Sequence, residues 1–590
     1  LSKREKYYVK SIKWLQQHVG PYQAIISLSV VTGLISGISA IVLKSLLHYV
    51  EAYGVSKFPP YLLFLTPMAG IMIVTLLHKK ILKESAKFHG VGDIIYAISK
   101  RSAILSFSLT YAKLITSAIT VGFGGSAGLE SPIVLTGSAI GSNLARFFRL
   151  EINYRILLIG CGSAAGIAAI FNAPIAGVVF AMEVIMPKLT ATYFIPVLLS
   201  AASGALLSGL FSSESLFAIP AFTWQNSFEQ LPYFILIGVT GGFTSLYFTR
   251  LSWWMKTNLY AIKNDYFKAL LGGSLLGLLV FLFPRLYGEG YVGIHNLLVN
   301  NDGKLLPPFL SEINMQESSW VLIILFFSLT ILKPIAASIT LNSGGDGGQF
   351  APSFITGGYL GYAVFLLVKE IIPGFDLPMT AFVLLGMSAV LSGVMHSPLT
   401  GIFLIAEITG GYSLLVPLML VSAISFFTKF NFEKKPVHFH KDETPIPQQQ
   451  HEWAVLNRLD LMRLTDNDYH IFSPEETLAE MLSALSKTRR NFFPVVDDKK
   501  VLQGIITLDD FRPMMFDAEK NQNLKAKDLM HLPTAHIDAN DQFLSVLEKF
   551  DKSNYWNLPV LREGKFVGFI SKSTLLDKMR KELGRSPDLF

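Results

Sequence analysis

The nonapeptide GGSAGLESP, Gly124–Pro132, places a lone carboxylate, Glu130, among glycines inside a run that otherwise reads as membrane. The flanking segments Ile104–Gly122 and Ile133–Leu144 carry one charge, Lys113. An ionisable side chain at bilayer depth costs about 2.5–3.5 kcal/mol on insertion scales, so Glu130 is expected to face a water-filled path rather than lipid. The glycines let the backbone break a helix at that depth, which is tolerated only where the backbone is buried or lines a cavity. Pro132 suits the first turn of the helix that follows. The free N–H groups of that turn attract anions. The motif thus reads as an anion site with a carboxylate as rival occupant.

The rest of the chain fits that setting. Of 590 residues, 51% are hydrophobic, and the mean hydropathy is +0.44, too apolar for an ordinary soluble domain. Low-charge stretches of spanning length recur, among them Ala24–Leu43, Ile156–Met182, Met379–Met395 and Ile402–Thr428. They predict ten or more membrane helices, several of them short or broken. The single cysteine, Cys161, allows no intrachain disulfide and reads as a small core residue. The net charge of +7 gathers at Lys3–Lys13, Lys79–Lys83 and Lys429–Lys435, beside apolar runs. That pattern marks the cytoplasmic side, so both termini are expected there, and nucleic-acid binding is set aside. No cleavable signal pattern is seen, and the start at Leu1 rather than Met places the expected native start upstream.

Two internal repeats organise the sequence. GGSAGLESPIVLTGSAIG (Gly124–Gly141) matches SGGDGGQFAPSFITGGYLG (Ser343–Gly361), and Gly166–Val184 matches Leu391–Thr409. Two halves with a Gly/Pro-interrupted helix in the same place point to a midplane site between them, the pattern of inverted-repeat transporters. Both interrupted helices then aim about half a positive charge each at one point. An anion can trade hydration for such amides without a cationic side chain that would hold it too tightly. Close helix packing alone is the plainer reading of one glycine motif, but it does not account for the matched pair or for Glu130. Beyond Lys429 the composition turns polar, and a second repeat appears. Phe492–Phe511 and Asn557–Leu576 each predict a short strand after proline, a turn, a strand ending Gly-x-x-Ser/Thr, and a helix.

The membrane motifs resemble those of the CLC family of chloride channels and chloride/proton exchangers. GLESP is similar to that family's G-[R/K]-E-G-P, GIAAIFNAP to its G-x-x-x-x-F-N-x-P, and GGQFAPS to its G-G-x-F-x-P. The tail repeats resemble a CBS pair. The resemblance implies an all-α polytopic membrane protein with two inverted-topology repeats, followed by a cytoplasmic α/β tandem CBS domain. The expected domains are an N-terminal segment 1–20, a transmembrane domain 21–436, a linker 437–458, and CBS domains 459–520 and 525–585. It also implies a homodimer in the lipid bilayer, with one chloride pathway per subunit and Glu130 as the gate. Val91, Gly92, Gly128, Gln349, Phe350 and His438 form the expected anion-binding set. Thr507, Asp510 and Ser571 are the expected contacts for an adenine nucleotide such as ATP, ADP or AMP.

Several positions depart from the family pattern. Val91 stands where a serine hydroxyl donates to the central anion, and Asp93 nearby suits either a site or a helix cap. The pore tyrosine falls on His438 or Phe439. Leu129 replaces the basic residue before the gate. Val184 takes the place of the internal proton-accepting glutamate, and Glu183 and Glu407 read as structural carboxylates. In the tail Thr574 replaces the second nucleotide-binding aspartate. Tyr555 and Trp556 could stack an adenine, with core packing the better reading for at least one. Val184 favours a passive chloride channel. The alternatives are a chloride/proton antiporter, an exchanger of another anion such as nitrate, or a CBS-containing divalent-cation transporter. The last expects several intramembrane carboxylates, whereas the helix breaks are read as carrying one. No nucleophile, metal cluster or phosphate loop points to an enzyme.

Overall fold

A computed structural model shows two compact units, residues 1–443 and 444–590. It describes residues 21–55, 60–100, 102–186, 191–211, 228–298, 319–372, 375, 377–410, 412–439, 461–488, 490–513, 524–539, 541, 543–553 and 555–584. The expected N-terminal segment and nearly all of the expected linker lie outside these residues.

The first unit is helical throughout. Its first half comprises α1 (Pro21–Tyr49), α2 (Thr66–Lys80), α3 (Val91–Lys100), α4 (Leu109–Gly122), α5 (Glu130–Phe147), α6 (Ile152–Phe171), α7 (Pro174–Phe180) and α8 (Ala191–Phe211). The second half comprises α9 (Leu231–Tyr260), α10 (Asp265–Leu282), α11 (Tyr291–Leu298), α12 (Ser319–Asn342), α13 (Phe350–Ile371), α14 (Met379–Met395), α15 (Pro398–Ile408) and α16 (Leu415–Phe432). Among the described residues eight helices are long and apolar enough to cross a membrane, and three apolar ones are shorter. Helices α5, α6, α13 and α14 are almost wholly buried and form the centre of the unit.

Two predicted spans prove to be broken. Ile156–Met182 divides at Asn172, a left-handed residue (φ 54°, ψ 40°) that ends α6 before Pro174 opens α7. Ile402–Thr428 divides between α15 and α16, near Gly410 at φ 67°. In the other half His396 (φ 57°, ψ 39°) ends α14 before Pro398 opens α15, at the place matching Asn172. Asn and His tolerate this conformation better than most residues, and proline cannot continue the preceding helix. Apolar content alone does not register such breaks.

The two halves cap one another. Glu407 accepts hydrogen bonds from the amides of Ile175 (2.9 Å) and Ala176 (2.7 Å) at the start of α7. Glu183 accepts from the amides of Leu399 (3.2 Å) and Thr400 (2.9 Å), and from the Thr400 hydroxyl (2.8 Å), at the start of α15. Both carboxylates therefore serve as helix-start acceptors supplied by the opposite repeat. Glu407→Ala is expected to lower stability by about 0.5–2 kcal/mol, the usual loss of an N-terminal cap. Thermal unfolding of the purified full-length protein would show it. A variant as stable as wild type would remove this role.

In the second unit β1 (Phe492–Val496) pairs antiparallel with β2 (Leu502–Thr507). Strand β3 (Ile537–Asp538) pairs parallel with β4 (Asn557–Arg562), which pairs antiparallel with β5 (Lys565–Ser571). Each strand pair sits against helices, with separate cores around Phe493 and Val560. Pro494 and Pro559 lie inside their strands rather than before them. The carbonyl of Pro494 still accepts from the Phe472 amide at 2.9 Å, so the residue joins a neighbouring strand pairing despite its missing donor.

Candidate functional site

The two glycine-rich breaks meet. The Gly128 amide donates to the Gly348 carbonyl at 2.9 Å, and the Gly348 amide donates to the Gly128 carbonyl at 2.8 Å, an antiparallel bridge. Each loop is braced by a threonine of the other repeat. The Ser126 amide donates to Thr340 Oγ1 (3.1 Å), and the Asp346 amide to Thr120 Oγ1 (2.9 Å). Helices α5 and α13 both begin just after the bridge. Neither start has a side-chain cap among the described residues. Two sets of first-turn amides are thus left for some other acceptor.

Glu130 stands at the first of them, as the opening residue of α5. It is 2% exposed, and the Tyr291 hydroxyl donates to its Oε1 at 2.5 Å. Its Oε2 is buried and accepts no hydrogen bond among the described residues. Oε2 lies where a side chain on Gly128 would collide with it and with the Ala351 methyl, so only glycine fits at 128. Tyr291 is held edge-on by Phe171 and Phe354, at centroid distances of 6.3 and 6.2 Å. Phe350 packs on Phe171 and Phe180. The Glu130 carboxylate is therefore anchored by one hydroxyl, whose own ring is held in an aromatic cluster.

Two members of this surround escaped the sequence reading: Tyr291 and Glu289, which accepts from the Leu129 amide at 3.2 Å. Both belong to Tyr287–Tyr291 (YGEGY), whose pattern of a carboxylate between glycines repeats the signal seen at Glu130. Gly288 (φ 58°) and Gly290 (φ 98°) adopt left-handed conformations that favour glycine. The buried Lys333 donates to the carbonyls of Gly288 (2.9 Å) and Leu286 (3.3 Å), and the Tyr287 hydroxyl to that of Gly122 (2.9 Å). A hydrogen bond to a charged group contributes about 1.5–3 kcal/mol, so Tyr291→Phe should release the Glu130 carboxylate; on the expectation that Glu130 gates an anion path, flux at neutral pH should rise about tenfold. Flux equal to wild type in proteoliposomes would deny Tyr291 this anchoring role.

Beside the bridge lies a cavity of about 400 Å³. Of the expected anion set it brings together Val91, Gly92, Gln349 and His438, while Gly128 sits against Glu130 and Phe350 packs on Phe171 and Phe180. Phe439 also lines it, so both candidates for the tyrosine position reach the same space. The 437–439 segment is drawn in by hydrogen bonds from the Val437 amide to the Val394 carbonyl (3.1 Å) and from Trp253 Nε1 to the Val437 carbonyl (3.2 Å). The carbonyl of His438 abuts the α-carbon of Gly92, where a side chain would collide. Asp93 acts as a cap: its Oδ2 accepts from the amides of His89 (2.5 Å) and Gly90 (3.1 Å). Val184 is half-buried on the turn Ala181–Ile185.

The expectation of a single carboxylate in the breaks needs correction. Asp346 is a second one, in the loop before α13. It is neutralised where it stands, with Lys113 Nζ at 2.8 Å from Oδ1 and His78 Nε2 at 2.9 Å from Oδ2. In the second unit Thr507 and Asp510 are bonded to each other. Asp510 Oδ2 accepts from the Thr507 amide and hydroxyl, both at 2.7 Å. Ser571 Oγ similarly accepts from the Thr574 amide at 3.0 Å. Tyr555 packs against the core, whereas Trp556 is 67% exposed.

Comparison with known proteins agrees with this architecture. A family model described as voltage gated chloride channel matches residues 70–429, and a CBS domain model matches 460–515 and 526–581. Chloride channel protein CLC-f of Arabidopsis thaliana is 26% identical over 76% of this chain; the chain spans 62% of that relative's length. The H(+)/Cl(-) exchange transporter ClcA of Vibrio parahaemolyticus is 27% identical over 56% of this chain and 68% of its own. The crystal structure of a slow cyanobacterial Cl-/H+ antiporter shares the fold at a TM-score of 0.58, with 22% identity over 71% of this chain and 97% of the other. A eukaryotic CLC transporter does so at 0.57, with 18% identity over 93% and 97%. The paired breaks, the reciprocal caps and a family match across more than half its length place the chain in the CLC family of membrane proteins, with a C-terminal CBS pair.

Proposed function

We propose that this protein carries chloride or a similar small anion across a membrane in exchange for protons, with Glu130 as both gate and proton carrier. One observation carries the reading: a buried carboxylate, anchored by Tyr291, stands where two uncapped helix starts converge. A carboxylate there mimics a permeant anion, and protonation removes its charge. The amides then have no rival for the incoming ion. The name of the Vibrio relative, an H(+)/Cl(-) exchange transporter, supports exchange. Passive conduction is the second reading, favoured by Val184, which offers no proton acceptor where coupled members of the family have one.

Chloride flux from proteoliposomes, recorded together with internal pH, separates the two. Exchange predicts that a chloride gradient drives protons uphill. Conduction predicts that the membrane potential settles at the chloride Nernst value with no proton movement. Absence of chloride flux would sink both. The CBS pair is the regulatory part of this proposal. Thr507 and Asp510 would have to give up their mutual cap to hold the ribose and phosphate of an adenine nucleotide. Binding there would therefore loosen the start of the short helix that follows.

A further inference from the structure

The cavity beside the gate has lost one donor. Neither Val91 nor Gly92, which both line it, has a side-chain donor. Ser131, the residue after Glu130, lines the same cavity. It is 8% exposed, and its hydroxyl makes no hydrogen bond among the described residues. The residue is nearly enclosed, yet its hydroxyl still reaches the cavity, so it is a donor open to a group that enters there. It lies against the α-carbon of Gly348, where any side chain would meet its oxygen. That position is at the start of its own helix, α5, against the turn leading into α13, in a cavity that Val91, Gln349 and His438 also line. A hydroxyl has one donor and no net charge. It can therefore hold an anion together with helix-start amides and still release it.

We infer that the Ser131 hydroxyl is the side-chain donor to a small monovalent anion in this cavity, taking over from the gate helix the role that Val91 cannot perform. The inference rests on the anion-transport reading above. It goes beyond that reading by moving the donor from the start of α3 to the start of α5, one residue from the gate. The ion and the gate are then held by consecutive residues of one helix turn.

Chloride binding to the purified full-length protein, measured by titration calorimetry, tests it. Ser131→Ala should weaken chloride binding about tenfold, as expected for losing a hydrogen bond to a charged group. Val91→Ser placed in the Ser131→Ala background should recover most of that loss by restoring a hydroxyl to the same cavity. A merely structural serine would not be rescued in this way. Ser131→Cys, similar in size but a weak donor, should behave like the alanine variant and serves if that variant does not fold. Chloride affinity within twofold of wild type in Ser131→Ala or Ser131→Cys would overturn the inference, and so would a loss that Val91→Ser does not recover. If wild type moves chloride in proteoliposomes and the Ser131 variants bind it unchanged, only this inference falls. If wild type neither binds nor moves chloride, the transport reading falls with it.

Discussion

Glu130→Gln should abolish chloride-driven proton movement, to at least about tenfold below wild type, a difference of about 1.4 kcal/mol or more, while chloride flux persists. Glutamine keeps the size of the side chain and its place between Gly128 and Tyr291, but it carries neither charge nor a removable proton. The two helix starts then lose their built-in anionic competitor. Wild-type flux should rise as pH falls, because protonated Glu130 no longer competes for the amides. The variant should show a flat profile held near the low-pH rate of wild type. Flux and internal pH in proteoliposomes from pH 4 to 8 would record both effects. Uphill proton movement surviving in Glu130→Gln would remove the residue from the coupling role, and a retained pH dependence would remove it from gating.

Asp346→Ala should cost about 3–5 kcal/mol of stability, the usual penalty for stranding one partner of a buried ion pair. Asp346 is 4% exposed and Lys113 1% exposed, so removing the carboxylate leaves an ammonium in the interior with no anion in place of the one now 2.8 Å away. His78 loses its partner as well. The damage falls on the loop that precedes α13, so the second helix start should shift with it. Replacing the pair by apolar side chains of similar volume, Lys113→Met with Asp346→Leu, should recover at least half of the loss, since no buried charge then lacks its partner. Thermal unfolding of the full-length protein in detergent measures both. A single variant as stable as wild type would show that Lys113 is solvated or paired elsewhere. A double variant as unstable as the single would show that the loss comes from packing and not from charge.

Much of this architecture is legible in the sequence because its signals are local. Glycines followed by a proline specify a break and then a helix start, with a carboxylate set in the first, and the glycines and proline of Gly347–Pro352 announce a second. The convergence of the two starts follows from repeat symmetry, and the bridge between Gly128 and Gly348 realises it. Glu183 and Glu407 read as structural carboxylates, and they cap helix starts; Asp93, which suited either a site or a cap, caps as well. The break at Asn172 is harder to see, because a single left-handed residue inside an apolar run hardly alters hydropathy.

The class of molecule, the two interrupted helices, the carboxylate set in the first and the paired modules of the tail are written in the order of the residues, because each motif is contained within one or two turns of chain. What surrounds that carboxylate is not, because its neighbours arrive from distant segments. Tyr291 lies 161 positions from Glu130, and Asp346 lies 233 from Lys113. Ser131 and Val91 share a cavity although their helices are separate in the chain. Hydrogen bonds and ion pairs act over about 3 Å, so which distant side chains come within that range is fixed by how the buried helices pack.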